Sequence, residues 1–299
     1  MNSASLPDGA PGLTGHIAAC NRLDLSGVVP LVEGGRILAW PGPAVQDEFA
    51  RLSRSFEMRD GAWAFAPACA DIGARTRALA EVETALRARG AIRKNRGEAY
   101  ALVGEWGEIP VALVDRSAAA ALGMRCFGVH LNGYVRRPDG IHLWVGRRSK
   151  TKAVAPGKLD NMVAGGQPAA LNLLDNLIKE CGEEASLPPE VAARAVPAGL
   201  VRYCFTADEG VKPDTLYCYD LEMPDGAVPV PGDGEAEGFE LWPVSRVLEV
   251  MAATWDFKFN VPLVILDFVL RHGLIEPDAD PATYAALCLG LRRPFPTLA

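Results

Sequence analysis

Gly165-Gly166-Gln167-Pro168-Ala169-Ala170, running into a helix that ends Lys179-Glu180-Cys181-Gly182-Glu183-Glu184-Ala185, is the stretch that fixes the reading of this chain. Between Leu171 and Ala185 the apolar residues Leu171, Leu174, Leu177, Ile178, Cys181 and Ala185 recur at helical spacing and predict one buried face. Glu180, Glu183 and Glu184 fall at i, i+3 and i+4, so their carboxylates are expected to converge on the opposite face. Three like charges at that spacing repel, and a divalent cation removes the repulsion. Carboxylate oxygens are the ligands that hard Mg2+ or Mn2+ prefers. An isolated E-x-x-E-E is more simply a solvated acidic face. Here a glycine pair leads into the helix and Pro188-Pro189 stops it, which favours a metal site for phosphate chemistry.

This loop–helix–loop unit resembles the Nudix box, G-x5-E-x7-R-E-U-x-E-E-x-G-U with U aliphatic. The box starts at Gly165 and puts Glu180, Glu183 and Glu184 at the metal-binding glutamates, with Cys181 and Leu187 at the aliphatic positions. Leu171 stands where the pattern has its first glutamate, Lys179 where it has arginine, and Ser186 where it has the last glycine. Lysine keeps the charge but loses the bidentate fork. The resemblance implies a metal set of Gly165, Glu180, Glu183 and Glu184.

Three more segments, Gly128–Tyr134, Leu143–Lys152 and Pro156–Asn161, look like one subgroup of that superfamily, as do Phe257-Lys258-Phe259-Asn260 and Leu266–Gly273. That subgroup carries an extra N-terminal domain and is related to regions fused to thiamine pyrophosphokinase in some fungi. No kinase-sized extension is expected here. The resemblance implies hydrolysis of thiamine diphosphate or its oxidised analogues, with Lys258 and Asn260 at the substrate pocket.

With 299 residues, 49% hydrophobic and 22% charged, the chain has the make-up of a globular protein large enough for two domains. A net charge of −7 argues against a general nucleic-acid binder, because there is no basic field to displace counterions. Seven scattered cysteines without a C-x-x-C pair suit reduced thiols. Met1–Cys20 lacks the features of a secretory signal, and the most apolar run, Val261–Leu270, is too short to span a bilayer. A cytoplasmic protein with no membrane partner is the expectation.

The domain reading is a loose start over 1–14, an α/β domain over 15–115, and a Nudix domain with C-terminal helices over 116–299. In the first domain, helices are predicted over Ala44–Ser53 and Arg75–Arg89. Strands are predicted over Arg36–Trp40, Phe56–Phe65 (turning at Asp60-Gly61), Ala99–Val103 and Val111–Val114. No catalytic constellation lies there, so it shapes the substrate site, dimerises or serves as scaffold. Strands at Phe127–Val135, His142–Arg147, Val201–Thr206 and Thr215–Leu221, with helices at Val244–Ala252 and Asn260–His272, complete an α/β (α+β) fold: a mixed sheet sandwiched between helices.

The cluster Arg147, Arg148, Lys150, Lys152 and Lys158 puts cations before the glycine loop, as a diphosphate requires; Arg148 and Lys152 are the preferred pair, and a solvated strand end is the alternative for the rest. In the late loop Pro224–Gly238, Glu235 or Glu237 is the candidate general base, alongside Glu183 and Glu184. His130 and His142 are read as satisfied strand or turn residues. Trp144 and Tyr134 are read as core aromatics, with ring stacking as the alternative. The function read is metal-dependent cleavage of a small-molecule diphosphate. ADP-ribose or NADH is the alternative substrate class, a non-catalytic phospho-ligand module the alternative of another kind, and a homodimer is left open.

Overall fold

The computed structural model describes residues 9–92, 97–208 and 210–297. Its first part contains α1 (Gly12–Ala19), β1 (Leu31–Glu33), β2 (Arg36–Ala39), α2 (Pro43–Arg51), β3 (Phe56–Arg59), β4 (Ala62–Phe65), α3 (Ile72–Ala88), β5 (Ala99–Leu102), β6 (Ala112–Asp115) and the single turn α4 (Ala119–Leu122). β1 to β4 form a four-stranded sheet in the order β2-β1-β4-β3, and β5-β6 is a separate ribbon. The β3–β4 hairpin turns at Asp60 and Gly61, both at positive φ (51° and 78°), as a two-residue hairpin demands. Phe49, Phe56, Trp63, Leu79 and Leu102 anchor the core of this part.

The second part contains β7 (Cys126–Arg137), β8 (Gly140–Arg148), β9 (Leu159–Asp160), β10 (Val163–Gly166), α5 (Leu173–Ala185), α6 (Pro189–Ala192), β11 (Val196–Ala207), β12 (Gly210–Glu222), β13 (Ala236–Pro243), α7 (Val244–Ala253), α8 (Val261–Arg271) and α9 (Pro281–Gly290). A seven-stranded mixed sheet runs β11-β12-β7-β8-β13, with β10 paired to β7 and β9 to β8. Only the β12–β7 ladder of that path is parallel. Alternation along β7 sends Val129 and Leu131 to the face covered by α5. It sends His130, Asn132 and Tyr134 to the face covered by α8. The sheet is therefore sandwiched between helices, as the sequence predicts.

The structure departs from the sequence reading in three places. The stretch expected to be loose to residue 14 becomes helical at Gly12, and α1 packs on α7, α8 and α9 rather than on the neighbouring small sheet. His16 holds it there through a 2.7 Å bond to the Met251 carbonyl. Leu174, expected in the buried face of α5, is 40% exposed; Asn176 is buried in that first turn instead. Strands β1, β9, β10 and β13 and helices α4, α6 and α9 have no counterpart in the sequence reading. All seven cysteines are free, and five of them are buried.

Candidate active site

Helix α5 begins where Asn172 caps it, accepting from the Asp175 amide (2.9 Å). It ends at Ser186, which takes the left-handed conformation (φ 52°) usually given to glycine. The helix lies against β10 so closely that a Cβ on Gly165 would stand 2.4 Å from Cδ of Glu180. Glycine at that position is thus a steric requirement of the glutamate that covers it. The Gly165 carbonyl oxygen lies against Gly128 of β7, 3.0 Å from where that residue would carry a Cβ.

The three glutamates of α5 do not share one face equally. Glu184 accepts from the Ala164 amide at 2.9 Å. Glu180, only 14% exposed, folds over Gly165, whereas Glu183 is 50% exposed. Lys179 reaches both Glu180 (3.2 Å) and Glu183 (2.6 Å). Burial raises the pKa of Glu180, partly offset by Lys179. Burial pushes Glu184 further, to about 8, and nearby Asp160, Glu180 and Glu235 add to the rise.

The loop after β12 places the two candidate bases differently. Val230 donates to the Ala185 carbonyl (3.0 Å), which seats the loop on the end of α5. Glu235 enters the pocket that Glu184 also lines. Burial alone would raise its pKa, but the ion pair with Lys152 outweighs it and the net shift is downward. Glu237 stays outside, exposed, accepting from the Lys150 amide at 3.3 Å.

The basic residues divide in the same way. Arg148 lines the pocket but is committed to Asp160 (2.5 Å) and to the carbonyls of Val154 and Ala155. Lys258 lies behind the pocket, 3.5 Å from the same Asp160 carboxylate. Asn260 does not join the site: it precedes the buried first turn of α8 and donates to the Tyr203 hydroxyl at 3.1 Å. Trp144 and Tyr134 are packed into the two faces of the sheet.

Sequence reasoning assigned no role to Asp160, Asn161, Met162 or Phe239, which complete the pocket wall. The available signal was the acid–amide pair closing Pro156-Gly157-Lys158-Leu159-Asp160-Asn161. Burial would raise Asp160, but Lys258 and Arg148 together outweigh it and hold the carboxyl below its ordinary value. Behind it runs a buried chain of hydrogen bonds. His130 Nδ1 meets Asn161 Oδ1 at 2.8 Å, Asn161 Nδ2 donates to Asn132 Oδ1 at 3.1 Å, and Asn132 Nδ2 donates to Asp220 Oδ1 at 3.1 Å. Arg271 closes the chain on Asp220 at 2.5 Å. Asp220, paired with Arg271, accepts from Asn132; that orients both amides and makes His130 Nδ1–H the donor to Asn161. Burial above all lowers the His130 pKa to about 4, so the ring is neutral near pH 7.

Among the described residues, no three His, Cys, Asp or Glu side chains stand close enough as arranged to enclose a metal. The chemistry of the donors nevertheless fits one. Glu184 and Glu235 line the same pocket, and the charge of Glu235 adds to the rise of the Glu184 pKa. A divalent cation between them would relieve that repulsion, and the oxygens available are those that Mg2+ or Mn2+ prefers.

Residues 12–126 match a family described as a domain of unknown function, DUF4743. Over 211 residues the chain is 42% identical to Nudix hydrolase 24, chloroplastic, of Arabidopsis thaliana, covering 69% of this chain and 56% of that protein. It is 43% identical over 206 residues to Nudix hydrolase 20, chloroplastic, of the same plant, covering 69% of this chain and 55% of that protein. The chain thus spans about half the length of these curated relatives. Among solved structures, the Nudix domain of Shewanella oneidensis NrtR complexed with ADP ribose superposes with a TM-score of 0.39 at 14% identity, covering 50% of this chain and 89% of that one.

Proposed function

We propose that this chain, which belongs to the Nudix hydrolase superfamily, is a hydrolase that uses Mg2+ or Mn2+ to cleave a diphosphate linked to an organic group. The observation that carries the reading is that Glu184 from α5 and Glu235 from the late loop line one pocket together with Asp160 and Arg148. Glu180, Glu184 and Glu235 are the side chains that would hold the cation, with Glu183 at the solvent edge. Bound there, the cation neutralises phosphate charge and makes a water molecule more acidic.

The remaining work falls to the protein. Glu235, kept ionised by Lys152, is the group that accepts the proton from the attacking water. The water oxygen bonds to phosphorus, the anhydride P–O bond breaks, and the second phosphate leaves with the bonding pair. Arg148 and Asp160 fix the pocket wall, and the Asn161–Asn132 chain holds Asp160's neighbourhood rigid. The preferred substrate is thiamine diphosphate or an oxidised analogue, yielding the monophosphate and phosphate; the wider resemblance of the segments around Pro156–Asn161 and Phe257–Asn260 supports this choice. No helix among the described residues is long and apolar enough to cross a membrane.

The test is phosphate release with Mg2+ from thiamine diphosphate, its oxidised analogues, ADP-ribose and NADH, adding a phosphatase for the last two because they yield phosphomonoesters. Turnover of the thiamine compounds, reduced at least ~100-fold by Glu235→Gln and by Glu184→Gln, is the expected result. Turnover of the nucleotides alone would replace the substrate class. Binding of these ligands without turnover of any would make the chain a phospho-ligand module, in which the Lys179 pairs with Glu180 and Glu183 simply persist.

A further inference from the structure

The glycine pair that opens the metal helix is gripped from two sides, and one grip comes from the first part of the chain. The Ala169 amide donates to the Ala99 carbonyl (2.8 Å), stitching the loop before α5 to strand β5. The next residue, Tyr100, is buried, and a Cβ on Gly166 would fall 1.9 Å from its hydroxyl oxygen and 3.3 Å from Cζ of Arg116. Arg116 follows β6 directly. Its guanidinium lies over the Tyr100 ring, 5.7 Å from the centroid, and donates to Glu98 at 2.8 Å. On the neighbouring residue, Gly165, Glu180 of α5 makes the opposing contact.

The distribution of charge gives this arrangement a purpose. A diphosphate needs cations for the oxygens that a metal leaves uncovered. Of the basic residues the sequence offers for that task, Arg148 is fixed on Asp160 and Lys158 on the Trp255 carbonyl (2.9 Å), which leaves Lys152, in a half-exposed pair with Glu235, as one cation where a diphosphate needs more. Lys179, at the arginine position of the family pattern, is taken up by Glu180 and Glu183. Arg116 is 39% exposed, stands at the glycine pair, and carries the planar fork that suits phosphate.

We propose that Arg116 binds a phosphate oxygen of the substrate at the Gly165–Gly166 end of the site, with the Tyr100 ring as the platform that positions it. The region spanning residues 12–126 thereby supplies a substrate-binding residue to the hydrolase half. This rests on the diphosphate reading above.

The experiment is calorimetric titration of the full chain with methylenediphosphonate, a diphosphate that cannot be hydrolysed, in the presence of Mg2+. Steady-state kinetics on the best substrate accompany it. Arg116→Ala is expected to weaken diphosphonate binding about 10- to 100-fold and to raise KM more than it lowers kcat. Arg116→Lys should recover part of the affinity, because it restores the charge without the fork. A folded Arg116→Ala that binds normally overturns the proposal. If Arg116→Ala does not fold, Arg116→Lys decides alone, and affinity within about twofold of wild type overturns it too. Wild-type binding that needs Arg116 but is followed by no turnover would refute the hydrolase reading and keep this one. Turnover lost in Glu184→Gln with normal binding by Arg116→Ala would do the reverse, and a wild type that binds no diphosphonate sinks both.

Discussion

His130 should make this protein measurably less stable in mild acid, by an amount the structure sets. The ring is 3% exposed on the α8 face of the sheet, and Nδ1–H is its donor to Asn161. Burial is the main reason its pKa drops from 6.5 to about 4; Lys258 and Arg148 push the same way, while Asn161 and Asp160 oppose them. The folded protein therefore prefers the neutral ring, whereas the unfolded chain takes up a proton near the ordinary value. Stability from this group is complete above pH 6.5 and is lost progressively as the pH falls toward about 4. At ~1.4 kcal/mol per unit the full loss is roughly 3 kcal/mol, of which about 2 kcal/mol is reached by about pH 5. Glu184 acts with the opposite sign, since a carboxyl raised to about 8 favours the folded state more as the pH falls. A wild-type profile alone would mix the two. Urea unfolding at about pH 7.5 and about pH 5, on wild type and His130→Gln, separates them, because glutamine keeps a donor for Asn161 but cannot titrate. The stability difference between the two proteins should shift by about 2 kcal/mol in favour of the variant on acidification. Parallel behaviour of the two proteins across that interval would refute the burial argument.

Two further substitutions probe the site from its two sides. Asp160→Asn keeps the shape but leaves Arg148 and Lys258 facing an uncharged partner; the Arg148–Asp160 pair is 11% and 9% exposed, so a loss of about 3–5 kcal/mol is expected in urea unfolding. A loss below about 1 kcal/mol would mean the pair is as dispensable as a surface one. Gly165→Ala places a methyl 2.4 Å from Glu180 Cδ, so the glutamate must swing away. Turnover should fall by roughly 10-fold or more while thermal unfolding moves little, with the overpacking cost at about 1–3 kcal/mol. Full activity in that variant would show that Glu180 does not need its place over the glycine.

What is legible in the sequence is what is local. Helix α5 declares itself through Leu177, Cys181 and Ala185 and through the proline stop, and the β3–β4 hairpin through Asp60-Gly61. Helix α1 is hidden because Gly12, Gly15 and a preceding proline are poor helix signals, and its stability comes from distant partners. Its His16 bonds to Met251, and Ile17 fits so tightly against Gly290 that a Cβ there would come within 2.6 Å of it. Strand β1 has three residues, too few to show a period. The glutamates can be named from spacing, but not which of Glu235 and Glu237 reaches the pocket, which depends on where Val230 docks on α5. Asp160 and Asn161 escape notice for the same reason. Their partners His130, Asn132 and Lys258 are brought to them by the sheet and by the turn before α8, and no spacing along the chain announces that.

The structure also separates the two cations that the sequence treats alike. Arg148 and Lys152 both point toward the carboxylates, yet their bonds differ in kind. Arg148 is a buried guanidinium whose Nε, Nη1 and Nη2 bond to a carboxylate and two carbonyls, and removing it from Asp160 would strand a charge beneath the surface at a cost of several kcal/mol. Lys152 and Glu235 are 23% and 44% exposed, a pairing that water screens and that is worth about 1 kcal/mol at most. A bound diphosphate can outcompete the second pair but not the first. On the proposed reading Arg148 therefore builds the wall, while Lys152 can leave Glu235 for phosphate as a cation takes its place. The charged groups of the pocket are balanced internally before any ligand arrives, and the weakest of those balances is the one that the reaction has to break.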